Sequence, residues 1–336
     1  MSRPRVYITR PIFKEAIDLL GSVAETTVWS EDVPPPYETL ALEASRADGL
    51  FSLLTDRIDE ALLAASPALR IVSNMAVGYN NIDVAAASKR GIYVGNTPGV
   101  LTETTADFAF ALLAAWARRI PEAADVVHEG RWKTWEPMLL LGTDIHGATL
   151  GIVGMGRIGQ AMARRAKGFD MRVLYWSRTR KPDIEQALGM EHVDALEDLL
   201  RQADFVSLHV PVTPQTHRLI GERELRAMRP TAVLINTARG EVVDQHALCA
   251  AIRDNRIAGA ALDVTDPEPP SADDPLLTLD NVLIAPHIAS SSRATRLKMA
   301  MMAAQNIVDV LKGRTPTHCV NPEAGALPRA TLPSGG

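Results

Sequence analysis

The stretch Thr149-Leu150-Gly151-Ile152-Val153-Gly154-Met155-Gly156-Arg157-Ile158-Gly159 constrains this chain more than any other. An apolar run leads straight into G-x-G-x-x-G, and the residues that follow, Gln160 to Lys167, read as the start of a helix. Strand, tight turn and helix start together make the unit that receives a dinucleotide. The first glycine forms the turn, the second lets the backbone approach a pyrophosphate, and the third lets helix and strand close on each other. The bare helix N-terminus then offers unpaired N–H groups and a partial positive charge to the anion.

At 336 residues the chain exceeds what one core usually fills, so two domains are expected. Lysines and arginines number 35 against 40 acids, a net charge of −5 without a basic run, which argues against a nucleic-acid partner and against an anionic membrane surface. Cys249 and Cys319 have no metal-like or redox spacing, and His128, His146, His192 and His246 show no ligand spacing, so no metal is expected. No apolar stretch approaches the ~20 residues of a membrane span. The N-terminus enters a strand directly, and a cytoplasmic location is the expectation.

Short apolar runs alternate with helical patterns from Val6 onward: Val6–Thr9, Ile12–Leu20, Gly49–Leu54, Asp59–Ala65 and Leu69–Ser73, then helix Val84–Arg90 and strand Ile92–Gly95. Such alternation predicts a parallel sheet with helices on its faces. Leu101–Arg119 reads as a long buried helix that carries the chain into a second domain. Trp132 and Trp135 lie in a loop-like segment with an apolar tail ending at Gly142, readable either as a dimer arm or as padding for the chain's own core. After the fingerprint, strands are expected at Arg172–Trp176, Asp204–Pro211, Thr231–Asn236, Gly259–Val264 and Val282–Ala285, followed by helix Ser292–Leu311 and a disordered tail from Glu323.

The loop after Trp176 departs from the usual pattern. An NAD site expects an acidic residue about 20 positions after the glycines, to bind the ribose 2′-hydroxyl. Here Ser177, Arg178, Thr179, Arg180 and Lys181 supply hydroxyls and cations, which suit a 2′-phosphate. NADP is therefore preferred, with NAD as the alternative.

Arg239, Glu268 and His287 each follow the carboxyl end of a predicted strand, the rim where an open parallel sheet gathers its ligand groups. Together they are what reduction of a 2-oxo acid requires. An arginine forks two donors onto the carboxylate, a histidine gives a proton to the oxo group as hydride arrives at carbon, and a glutamate orients the imidazole and stabilises its cationic form.

With these residues in place, the chain from about Val6 to Asn321 resembles the D-2-hydroxyacid dehydrogenase family, and within it the glyoxylate/hydroxypyruvate reductases. The resemblance rests on Val77-Gly78-Tyr79-Asn80, Asn96-Thr97-Pro98-Gly99, Gly151 to Gln160, Ser177 to Pro182, Ile235 to Gly240, Gly259 to Val264 and Ala285-Pro286-His287-Ile288. It implies an α/β fold of two domains with a cleft between them, each a parallel sheet with flanking helices. Residues 1–100 with 289–322 would form a flavodoxin-like substrate domain, residues 101–288 the larger Rossmann domain, and residues 323–336 a flexible tail. It implies Arg239, Glu268 and His287 as the catalytic trio. Thr105, Gly154, Gly156, Arg157, Ile158, Gly159, Ser177, Arg178, Thr179, Pro211, Thr216, Thr237 and Asp263 would surround the cofactor, with Asp263 near the nicotinamide. Leu54, Val77, Gly78, Arg239 and His287 would meet the acid, joined by Trp135 reaching across a homodimer. The implied partner is a small 2-oxo or 2-hydroxy acid.

Ala289 stands where the family usually has glycine, adding a methyl group near the expected nicotinamide. Val77 occupies the place of a phosphite-oxidising relative's lysine, and Glu268 that of a formate-oxidising relative's glutamine, so neither sister activity is expected. The rival readings are an NAD-dependent D-2-hydroxyacid or phosphoglycerate-type dehydrogenase and, in another class, a dinucleotide sensor without turnover.

Overall fold

The structure, a computed structural model, describes residues 3–326. Strands β1 (Arg5–Ile8), β2 (Glu25–Val28), β3 (Gly49–Ser52), β4 (Ile71–Asn74) and β5 (Tyr93–Gly95) alternate with helices α1 (Lys14–Gly21), α2 (Tyr37–Arg46), α3 (Glu60–Ala64) and α4 (Val84–Lys89). Helices α5 (Thr102–Ala117) and α6 (Ile120–His128) follow, then β6 (Thr149–Val153), α7 (Arg157–Lys167), β7 (Arg172–Trp176), α8 (Pro182–Leu188), β8 (Glu191–His192), α9 (Leu196–Gln202), β9 (Phe205–Leu208) and α10 (Glu222–Ala227). Next come β10 (Val233–Asn236), α11 (Gln245–Arg253), β11 (Gly259–Leu262), β12 (Val282–Ile284) and α12 (Arg293–Leu311).

Two compact units result, one built from the residues up to Leu101 and from Ser292 on, the other from Thr102–Ser291. Residues 289–291 stay with the second because Asp263 Oδ1 accepts the Ile288 N–H at 2.7 Å, its Oδ2 accepts that of Ala289 at 2.8 Å, and the Ser291 N–H returns to Ile288 O. Ser292 then caps α12, accepting the Thr295 N–H.

The first unit has a five-stranded parallel sheet in the order β2-β1-β3-β4-β5, the flavodoxin-like arrangement. The second has a seven-stranded parallel sheet in the order β12-β11-β10-β9-β6-β7-β8, doubly wound about β6 and β9. Its central strands β6, β9, β10 and β11 are buried on both faces, and successive side chains feed different cores. Val233 and Ile235 of β10 join Leu113 of α5 and Met162 of α7, while Leu234 joins Leu199 of α9, Leu225 of α10 and Leu248 of α11.

Sequence reading passes over β2, α2, α6, α8, β8 and α9. For three of these the reason is physical: β2 and β8 are short strands with polar sequences, and α8 buries no residue, so their apolar signal is weak. The tail expected from Glu323 needs correction. Residues Pro322–Ala326 form a 3-10 turn in which Ala324 is buried and Glu323 accepts from Ser88 Oγ at 2.9 Å. The rest of that tail lies outside the described residues.

Candidate active site

The fingerprint glycines behave as sterics demand. Gly154 has φ +101°, and a Cβ there would sit 2.9 Å from His209 O, because β6 and β9 end side by side where the strand order reverses. A Cβ on Gly159 would meet Gly154 O at 2.3 Å, so only glycine lets α7 start against the strand. At Gly156 a Cβ would meet nothing within 4 Å. No side chain caps α7 at Gly156, which leaves its first N–H groups to a ligand. Arg157 is exposed there and Ile158 half-buried.

Around this crevice Thr216 Oγ1 donates to Pro211 O at 2.5 Å and accepts from the Thr213 N–H, joining two of the expected cofactor residues beyond β9. Thr237, just past β10, has a buried hydroxyl that finds no hydrogen-bond partner among the described residues, the kind of orphan a bound polar group would satisfy. Thr105 is buried on α5, which packs along α7 and is tied to it by Arg165 reaching Glu103 and Asp107. The uncapped helix, the open space at Gly156 and the unpartnered Thr237 hydroxyl all fit a dinucleotide.

After β7, the basic loop is less free than its sequence suggests. Arg180 is engaged by Glu185, Nη2 to Oε2 at 2.9 Å, and Tyr175 OH donates to the same carboxylate at 2.5 Å. The Arg180 guanidinium, seconded by the Tyr175 hydroxyl, holds the Glu185 carboxyl down to about 2. Arg180 is therefore committed within the protein. Arg178 and Thr179 are exposed, and Arg178 enters no ion pair among the described residues.

The three side chains expected to do chemistry follow adjacent strands. Arg239 comes after β10, Asp263 and Glu268 after β11, and His287 after β12. His287 Nδ1 lies 2.5 Å from Glu268 Oε1, and Glu268 also acts electrostatically on Arg239 and on Asp263. Burial lowers the pKa of the Arg239 guanidinium, opposed by Glu241 and Glu268. Burial raises that of Asp263, opposed by the N–H groups of Ile288 and Ala289 and by His287. His287 has φ +53°, a left-handed backbone uncommon outside glycine, and its N–H donates to Asp263 O at 2.9 Å. Asp263 thus fastens both sides of the turn that presents the imidazole.

Two residues that sequence reading missed shape this rim. Asn236 donates to Arg239 O at 2.8 Å and accepts the Ala238 N–H at 3.0 Å, folding the turn that delivers the arginine. Gln245 accepts the Asp266 N–H at 3.0 Å and donates to Asp274, fixing the loop that carries Glu268. A polar residue closing a buried strand, as Asn236 does, was the available signal.

In the first unit, Leu54 and the pair Val77 and Gly78 follow β3 and β4 on one rim of that sheet, all partly exposed. Trp132 and Trp135 are 59% and 78% exposed, which settles one open reading: these rings do not pad the chain's own core. Among the described residues no cluster of His, Cys, Asp and Glu could hold a metal ion, and no helix is long and apolar enough to cross a membrane.

A Rossmann sheet with an open phosphate cradle, and an acid-paired histidine beside an arginine on the same rim, define a dinucleotide-dependent oxidoreductase. Residues 110–289 match the D-isomer specific 2-hydroxyacid dehydrogenase, NAD binding domain. Over 322 residues, 96% of this chain and 97% of the relative, the chain is 54% identical to a glyoxylate reductase of Korarchaeum cryptofilum. The crystal structure of the TT0316 protein from Thermus thermophilus superposes with a TM-score of 0.89 at 47% identity, covering 94% of this chain and 99% of that one. An NADPH-dependent glyoxylate/hydroxypyruvate reductase from Sinorhizobium meliloti, solved with NADP and malonate, gives 0.86 at 32% identity over 96% and 98%. The chain belongs to the D-isomer specific 2-hydroxyacid dehydrogenase family, and uses a nicotinamide dinucleotide in the reduction of small 2-oxo acids.

Proposed function

We propose that this protein is an NADPH-dependent reductase of glyoxylate and hydroxypyruvate, forming glycolate and D-glycerate, and that it works as a homodimer. The observation that carries the chemistry is the 2.5 Å contact between His287 Nδ1 and Glu268 Oε1, beside Arg239. Glu268 occupies Nδ1 and leaves Nε2 to face the substrate, so His287 is the proton donor to the oxo oxygen. Arg239 forks onto the carboxylate and fixes the acid's orientation. Asp263 holds the His287 turn from below through its two backbone acceptor bonds. When bound, the reduced dinucleotide supplies the hydride. Leu54, Val77 and Gly78 meet the acid and suit a short side chain.

The preference for NADPH rests on Ser177, Arg178 and Thr179, a segment without a carboxylate in which Arg178 enters no ion pair among the described residues. The engagement of Arg180 by Glu185 removes one cation from that segment and favours the runner-up, an NAD-linked D-2-hydroxyacid or phosphoglycerate-type dehydrogenase. The homodimer, with Trp135 reaching the partner, is supported by a loop that leaves Trp132, Trp135, Met138 and Leu141 exposed. Initial rates on glyoxylate, hydroxypyruvate, pyruvate and phosphonooxypyruvate, each with NADPH and NADH, test the proposal. Greater kcat/KM for the first two acids and for NADPH is expected. Greater efficiency with NADH overturns the cofactor preference, and no turnover on any acid overturns the activity.

A further inference from the structure

We infer that Asn96, backed by Asn306 and flanked by Asn74 and Asn81, is a positioning residue that holds the Val77–Gly78 backbone ready to receive the substrate carboxylate. This rests on the reading of Val77 and Gly78 as substrate contacts.

The segment after β4 belongs to no helix or strand, so nothing in its own secondary structure fixes its peptide planes. Its carbonyls are fixed from elsewhere. The Thr97 N–H donates to Ala76 O at 2.9 Å, Asn96 Nδ2 to Val77 O at 2.9 Å and Asn74 Nδ2 to Gly78 O at 2.9 Å. In a trans peptide the carbonyl and the next residue's N–H point opposite ways. Holding Ala76 O and Val77 O therefore aims the N–H groups of Val77 and Gly78 to the other side. Among the described residues neither N–H has a protein acceptor, and both residues are partly exposed. Aligned, unspent N–H donors are a receptor for an anion.

The clamp is itself anchored. Asn306 of α12, fully buried, donates through Nδ2 to Asn96 O at 3.2 Å and accepts the His318 N–H at 3.1 Å. Asn74 Oδ1 accepts from Ser52 Oγ at 3.1 Å, and Asn74 Nδ2 reaches Asn81 Oδ1 at 3.2 Å. Asn81 Nδ2 then holds Leu53 O at 3.1 Å and Asp56 O at 2.9 Å, while the Asp56 carboxylate takes the Leu53 N–H at 2.7 Å. Leu54 sits inside that second clamp. Carboxylate receptor and side-chain contact are thus fastened to each other by amides, which carry both donor and acceptor and stay uncharged beside an anion.

The test is Asn96→Ala, with Asn96→Asp as a shape-conserving second variant in case the first folds poorly. Thermal melting establishes that each is folded. KM for glyoxylate, and the Kd of oxalate by calorimetry, should rise about tenfold or more, while kcat falls less than about threefold and KM for NADPH stays within about twofold. A purely structural role would lower the melting temperature and disturb both substrates together. Unchanged glyoxylate KM and oxalate Kd in a folded variant overturn the inference while leaving the activity intact. A wild-type protein that reduces no 2-oxo acid and binds no oxalate overturns the underlying activity and the inference with it.

Discussion

Gly156→Ala and Gly159→Ala, placed three residues apart in one turn, should fail in opposite ways. A Cβ on Gly159 would stand 2.3 Å from Gly154 O, about 1 Å inside ordinary contact, and that oxygen belongs to backbone which cannot rotate away. Relief requires α7 to move off β6, and overpacking of this kind costs about 1–3 kcal/mol. For a unit of this size that lowers Tm by roughly 2–4 °C per kcal/mol. At Gly156 a Cβ meets nothing within 4 Å, and the backbone is at φ −77°, open to any residue. The apo protein should therefore keep its stability to within about 0.5 kcal/mol. The same methyl stands where a pyrophosphate must approach the backbone, so dinucleotide affinity should fall at least about tenfold. Calorimetric melting of the apo protein and titration with NADPH separate the two effects. Wild-type stability in Gly159→Ala would refute the close approach of turn and helix, and undiminished NADPH binding by a folded Gly156→Ala would refute the cradle.

Other perturbations reach other parts of the molecule. Replacing His287 with alanine should lower turnover about 100-fold or more, and Glu268→Gln, which keeps the shape but not the charge, should lower kcat/KM about 10- to 100-fold; near-native rates in stopped-flow assays would remove these assignments. Arg178→Gln should raise KM for NADPH several-fold and leave KM for NADH unchanged, and an equal change in both would detach Arg178 from the 2′-phosphate. Burial pushes the His209 imidazole from 6.5 down to about 4, so the unfolded chain takes the proton first. That contribution is intact above pH ~6.5 and is lost as pH falls toward ~4, at most about 3–4 kcal/mol and nearer half of it because the residue keeps some exposure. Urea unfolding at neutral and mildly acid pH should show a steeper loss for wild type than for His209→Gln, and parallel losses would show that His209 does not titrate this way.

Local pattern carried much of this protein. G-x-G-x-x-G between an apolar run and a helix start needs only short-range sterics, so the β6–α7 turn was legible along with the alternation that makes both sheets parallel. Arg239, Glu268 and His287 were legible as residue types at strand ends, because a parallel sheet gathers its carboxyl ends on one rim whatever lies between. The edge elements β2 and β8 were not legible because Glu25–Val28 and Glu191–His192 are short and mostly polar, whereas the other two edges, β5 and β12, carry enough apolar residues to be read. Tertiary structure alone paired Arg180 with Glu185, which turned part of an apparent phosphate clamp into an internal ion pair. It also left Trp132 and Trp135 in the open and brought Asn74, Asn81, Asn96 and Asn306 together on a single polar clamp. Asn306 stands 210 residues from Asn96 in the chain, and even between near neighbours such as Arg180 and Glu185 a hydrogen bond is chosen by position in space, which periodicity and spacing do not encode.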